Sequence, residues 1–189
     1  MRRIYLLLVA VATVIASFAQ GSVFVPVDKN LYPNNMTMVV RLMDGDAVVN
    51  HAEVAAFIGG ECRGVASATN GLYYLVITGE GAGQHMSLRT HLDGEIVIID
   101  NTQQFVSDNN IGASWEPYVI DLQNRNIVIT KGDANDDGEI NIADVIATVN
   151  DIQGTTSAAI LKDAADVDGN GVIDATDVAA IIGIMQTKE

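Results

Sequence analysis

Asp133-Ala134-Asn135-Asp136-Asp137-Gly138-Glu139-Ile140-Asn141-Ile142-Ala143-Asp144 is followed 33 residues later by Asp166-Val167-Asp168-Gly169-Asn170-Gly171-Val172-Ile173-Asp174-Ala175-Thr176-Asp177. The two stretches align without a gap. Each sets an oxygen-bearing side chain at positions 1, 3, 5, 9 and 12, a glycine at 6 and an isoleucine at 8. Between the first acid and the last, Lys162 is the one basic residue. Carboxylates crowded in this way repel one another unless a cation sits among them.

The spacing names the cation. Calcium takes six to eight hard oxygen ligands, and alternate side chains of a tightly wound loop supply them at positions 1, 3, 5, 9 and 12. In the first loop these are Asp133, Asn135, Asp137, Asn141 and Asp144; in the second they are Asp166, Asp168, Asn170, Asp174 and Asp177. The backbone carbonyls of Glu139 and Val172, at position 7, complete each set, and position 9 serves directly or through water. Gly138 and Gly171 allow the left-handed bend that turns the chain round the ion. Two Ca2+ ions are therefore expected, one per loop, with Ile140 and Ile173 free to pair the loops. The alternative is a pair of Asx-rich turns that hold no metal.

Each loop runs into an apolar helical stripe: Val145, Val149 and Ile152, widened by Ile146, after the first; Val178, Ile181, Ile182 and Met185 after the second. Ile127 to Thr130, ahead of the first loop, is strand-like where a complete EF-hand has an entering helix. A duplicated loop with only its exiting helix, closed by Asp rather than Glu at position 12, resembles the type I dockerins over roughly residues 132–187. That resemblance implies docking to a cohesin-like partner through the exiting helices and the residues before position 12, here Ile142, Ala143, Ala175 and Thr176. It also implies a setting of extracellular polysaccharide degradation or surface assembly. Further along the helices the family often sets an apolar residue before Lys or Arg. This chain has Val149-Asn150 and Ile182-Gly183, so the apolar half is kept and the basic half is not.

Upstream the texture differs. Met36–Leu42, Glu53–Ile58, Cys62–Ala66, Leu72–Thr78, Met86–Leu92, Glu95–Asp100, Tyr118–Leu122 and Ile127–Ile129 are short β-type runs divided by Gly and Asx turns, with Asp93-Gly94 a tight hairpin. Met86, Leu88, Thr90 and Leu92 alternate with Ser87, Arg89 and His91, as in a strand with one wet face. The expected fold is an all-β sandwich over 20–130, joined to a small α calcium-binding dockerin-like module over 131–189. Residues 1–19 read as a secretory signal peptide: Arg2 and Arg3, an apolar run to Phe18, then Ser17-Phe18-Ala19 before a cut. The mature chain is then secreted or held on the extracellular or periplasmic side, with no membrane span.

Composition narrows the function. A formal net charge of −14 argues against nucleic acid, which requires clustered Lys and Arg. Cys62 stands alone, so no intrachain disulfide is available; it reads as a small buried apolar residue. His51, His85 and His91 lack zinc-site spacing, Glu53, Glu61, Glu80, Glu95 and Glu116 show no paired arrangement, and neither a nucleophile elbow nor a phosphate loop occurs. A non-catalytic protein is expected, with a small hydrolase as the weakest reading. The alternative to docking is a stand-alone carbohydrate- or protein-binding surface module whose calcium is purely structural, even a calcium-locked cap on the β domain. Trp115, Tyr118, Tyr73 and Tyr74 are the candidate sugar platforms.

Overall fold

The computed structural model describes residues 22–92, 94–155 and 159–187. The proposed signal segment and Asp93 of the expected hairpin turn lie outside the described residues. Among the described residues nine strands form, β1 (Asn34–Asp44), β2 (Ala47–Val48), β3 (Glu53–Ile58), β4 (Glu61–Thr69), β5 (Leu72–Gly79), β6 (Gln84–Leu92), β7 (Glu95–Phe105), β8 (Asn110–Ile111) and β9 (Tyr118–Asp121), followed by helices α1 (Ile142–Ile152), α2 (Lys162–Ala165) and α3 (Ala175–Thr187). The N-terminal part is all-β and the C-terminal part a small helical unit, as the two textures led us to expect.

The strands make one curled sheet in the order β2-β1-β5-β4-β3-β6-β7, with β8 and β9 pairing parallel to β1. Period-2 alternation explains how it curls over a core. Met36, Met38, Val40 and Leu42 of β1 point inward, and they meet Val54, Ala56 and Ile58 of β3, Leu75 and Ile77 of β5, Met86 and Leu88 of β6, and Ile99 of β7. The two halves of the sheet thus enclose a single apolar layer, the arrangement of a sandwich. Strand β4 carries the chain from one half to the other: Glu53 to Ile58 pair with its first part, and its end pairs with β5. At that crossing Gly64 lies against β5, where an added Cβ would stand 2.5 Å from the Val76 carbonyl oxygen.

Ile127–Ile129 is a correction. The segment joins no strand; Asn101 on β7 brackets it instead, its Oδ1 accepting from Val128 N at 2.7 Å and its Nδ2 donating to Val128 O at 2.8 Å. A side-chain amide does there what a neighbouring strand would do. The second correction concerns β6. Ser87 and Arg89, expected on a wet face, are buried at 0% and 2% exposure. That face is covered by Phe57 and by the C-terminal unit. Cys62 is buried with Phe24 and Ala55, as expected of it.

Candidate metal centre

The two loops repeat one hydrogen-bond scheme. In the first, Asp133 accepts from the amides of Asp137 and Gly138 (both 3.1 Å), Asn135 Oδ1 from Asp137 N, Asp137 from Glu139 N, and Asn141 from Ala143 N. Asp144 reaches back to the amides of Asn135 and Asn141. In the second, Asp166 accepts from Asn170 and Gly171, Asp168 from Asn170, Asn170 from Val172, and Asp174 from Thr176. Asp177 reaches back to Val167, Asp168 and Asp174. Inward-turned backbone amides fix all ten side chains. Gly138 and Gly171 take φ of 90° and 85°, the left-handed bend expected at position 6.

The donor set fits calcium. Carboxylate oxygens of Asp166, Asp168 and Asp177 all lie within 4.8 Å of one another. Ligands at about 2.3–2.6 Å on opposite sides of one ion are separated by little more than that. In the first loop burial, aided by the carboxylates of Asp144 and Asp136, pushes Asp133 up to about 6, and burial likewise raises Asp144. Crowded buried carboxylates of this kind are relieved by a divalent cation. In the second loop burial opposes ionisation of Asp177, yet the amides of Asp174, Asp168 and Val167 hold it below the usual range.

Position 12 opens each helix. Asn141 caps α1 and forms a capping box with Asp144, so one pair of side chains both starts the helix and lines the loop. The apolar stripes are only partly covered. Ile181 is fully buried, and Val145, Val149, Val178 and Met185 are half-buried. Ile146, Ile152 and Ile182 are exposed, because α1 and α3 pack on each other along one narrow seam. Of the positions set before position 12, Ile142, Ala175 and Thr176 are exposed and Ala143 is half-buried. The first loop follows a segment with no entering helix, whereas the four-residue α2 leads into the second. Lys131 ties the loops by donating to the Asp166 carbonyl.

The loops differ in surroundings. Asp168 and Asn170 are exposed, but Asp133 and Asp136 are 4% exposed because the first loop sits against β6 and β7. Arg89 Nη2 donates to Asn135 O at 2.8 Å and Nη1 to Ala159 O at 3.4 Å; Asn101 Nδ2 donates to Asp136 Oδ1 at 2.7 Å. His85 Nε2 stands 3.6 Å from the same oxygen. Sequence reasoning missed Asp136, since position 4 is no ligand in this register. The signal was there: its counterpart in the second repeat is Gly169, so the acid is not required by the loop. Among the other candidates, Glu61 pairs with Arg63 (3.1 Å), and Glu53 accepts from Ser22 and Val23. Tyr73 is buried, donating to Val49 O, and Tyr118 donates to Asp100; Tyr74 and Trp115 are exposed.

An all-β unit followed by a doubled Asp-rich loop-helix repeat defines the class. Residues 131–185 match the family model of the Dockerin type I domain, so the chain carries a type I dockerin, a calcium-binding, cohesin-docking and itself non-catalytic module. No curated protein and no solved structure matches the chain. Among the described residues no helix is long and apolar enough to cross a membrane.

Proposed function

We propose that this chain is a secreted component made of a signal peptide (1–19), a β-sandwich domain (20–130) and a dockerin module (131–189) that binds two calcium ions. Asp133, Asn135, Asp137, Asn141 and Asp144 ligate one ion with the Glu139 carbonyl. Asp166, Asp168, Asn170, Asp174 and Asp177 ligate the other with the Val172 carbonyl. The loaded module docks a cohesin-like receptor in extracellular polysaccharide degradation or surface assembly. One observation carries this reading: the same cage of amide-fixed oxygens occurs twice, 33 residues apart. The exposed apolar residues Ile142, Ile146, Ile152 and Ile182 support the docking surface.

Calorimetry of the whole chain with calcium, followed by titration with cohesins, tests both halves. Two ions should bind, and Asp133→Ala and Asp166→Ala should each remove one. Unchanged stoichiometry in either variant refutes the ligand assignment. Failure to bind any cohesin with calcium present refutes docking. The exposure of Trp115 (85%) favours a second reading, a carbohydrate-binding surface on the β domain. A glycan array on which Trp115→Ala binds like the unaltered chain refutes it.

A further inference from the structure

Among the described residues, buried side chains of β6 and β7 bond the first loop at Asn135 and Asp136 and the stretch ahead of the second loop at Ala159. Arg89 is 2% exposed, stacks over the Phe57 ring with its guanidinium carbon 4.3 Å from the centroid, and is braced by Ser87 Oγ at 3.2 Å. Its Nη2 donates to the carbonyl of Asn135, inside the first loop, and its Nη1 to that of Ala159, in the stretch ahead of the second. Its guanidinium stays charged in the folded chain, as arginine does in proteins. Asn101, itself 4% exposed, gives its amide to Asp136 and to Val128. Asp136 holds φ of 57°, a left-handed conformation, and is no calcium ligand, so its carboxylate remains free for the β domain when an ion occupies the others. The second repeat has no such handle, because Gly169 stands at the matching position with φ of 74°.

We propose that His85, Arg89 and Asn101 form a docking surface for the chain's own first calcium loop, so that calcium in that loop locks β6 and β7 while the second loop stays free of the β domain. The inference rests on the ligand reading above. Its physical basis is linkage: an ion that binds the ordered first loop stabilises whatever must remain closed for that loop to stay ordered. Arg89 and Asn101 make the loop backbone and Asp136 part of the same closed unit. An unpaired Arg89 would be a buried charge, so opening one side exposes the other. The second loop touches no β-domain residue through these groups, and its ion leaves β6 and β7 as they were.

Amide hydrogen exchange on the full chain tests this, with calcium held at a hundred times the Kd measured by calorimetry. Exchange in residues 84–92 and 95–105 should slow about 100-fold, the factor expected when opening releases a bound ion. Asp133→Ala should abolish that slowing and Asp166→Ala should keep it. Asp136→Gly installs the residue the second repeat uses, leaves every ligand position intact, and should still bind two ions while losing most of the slowing. Equal protection in the Asp133→Ala and Asp166→Ala chains overturns the proposal, as does full protection in Asp136→Gly. Absence of any calcium binding sinks the ligand reading itself; two ions bound without the asymmetry sinks this inference alone.

Discussion

Gly138 and Gly171 occupy the same place in the two loops, at nearly the same φ, yet their surroundings differ. A Cβ on Gly138 would come within 2.8 Å of the His85 Cβ, whereas one on Gly171 meets nothing within 4 Å. Alanine at either position carries the left-handed cost of about 1–2 kcal/mol. Gly138→Ala should lose about 1–3 kcal/mol more through the collision with His85, so thermal melting should rank it below Gly171→Ala. A reversed order would count against the seating of the first loop on β6. Asp133 sets a second asymmetry. Its folded carboxyl, at about 6, lies above the unfolded value of 3.8. In the metal-free chain the stability linked to it is fully present below the unfolded value and is lost as pH rises through about 6. Protons and calcium compete for the same oxygens, so affinity at the first loop should fall as pH drops from ~7 to ~5. The second loop, where amides hold Asp177 low, should weaken less. Calcium titrations of Asp166→Ala and Asp133→Ala chains, each keeping one site, measure the two slopes; equal slopes refute the expectation.

At the level of elements, β4 is where the sheet turns from one half to the other, and Gly64 is the residue that lets it. Gly64→Ala would press a methyl group on the Val76 carbonyl at 2.5 Å. A loss of about 1–3 kcal/mol in urea unfolding is expected. Gly81→Ala, with open space round it, should change stability by less than ~0.5 kcal/mol. Similar midpoints for the two variants would mean that the crossing is not close-packed. Strand positions were legible because a strand is a local pattern: Glu53–Ile58 was read to the residue, the cores of β1 and β5 from their apolar runs, and that of β6 from its alternation. The two-residue strands β2 and β8 were not, since so short a run carries no periodicity. Ile127–Ile129 was misread for the opposite reason: its β-type composition is real, but its partner is the single side chain of Asn101.

Across the whole molecule, a chain of net charge −14 with no intrachain disulfide has its core, and metal where the loops bind it, to draw stability from. Each filled site at a hundredfold excess over Kd adds about 2.7 kcal/mol, so calcium should raise the melting temperature by several degrees and EGTA should reverse the gain. A melting curve indifferent to both would remove the metal from the stability of this fold. The sequence by itself determined the two loops, the helices they open and the alternation that makes the β domain, because each depends on residues within a dozen positions of one another. Tertiary structure alone decided that the first loop is seated and the second open, that Arg89 is buried rather than wet, and that Asp136 answers to Asn101. Those outcomes join residues 35 and 46 positions apart, and the ligand register that the two loops share is silent on which of them meets the sheet; Asp136, where the second loop has Gly169, gains its meaning only from its partner Asn101.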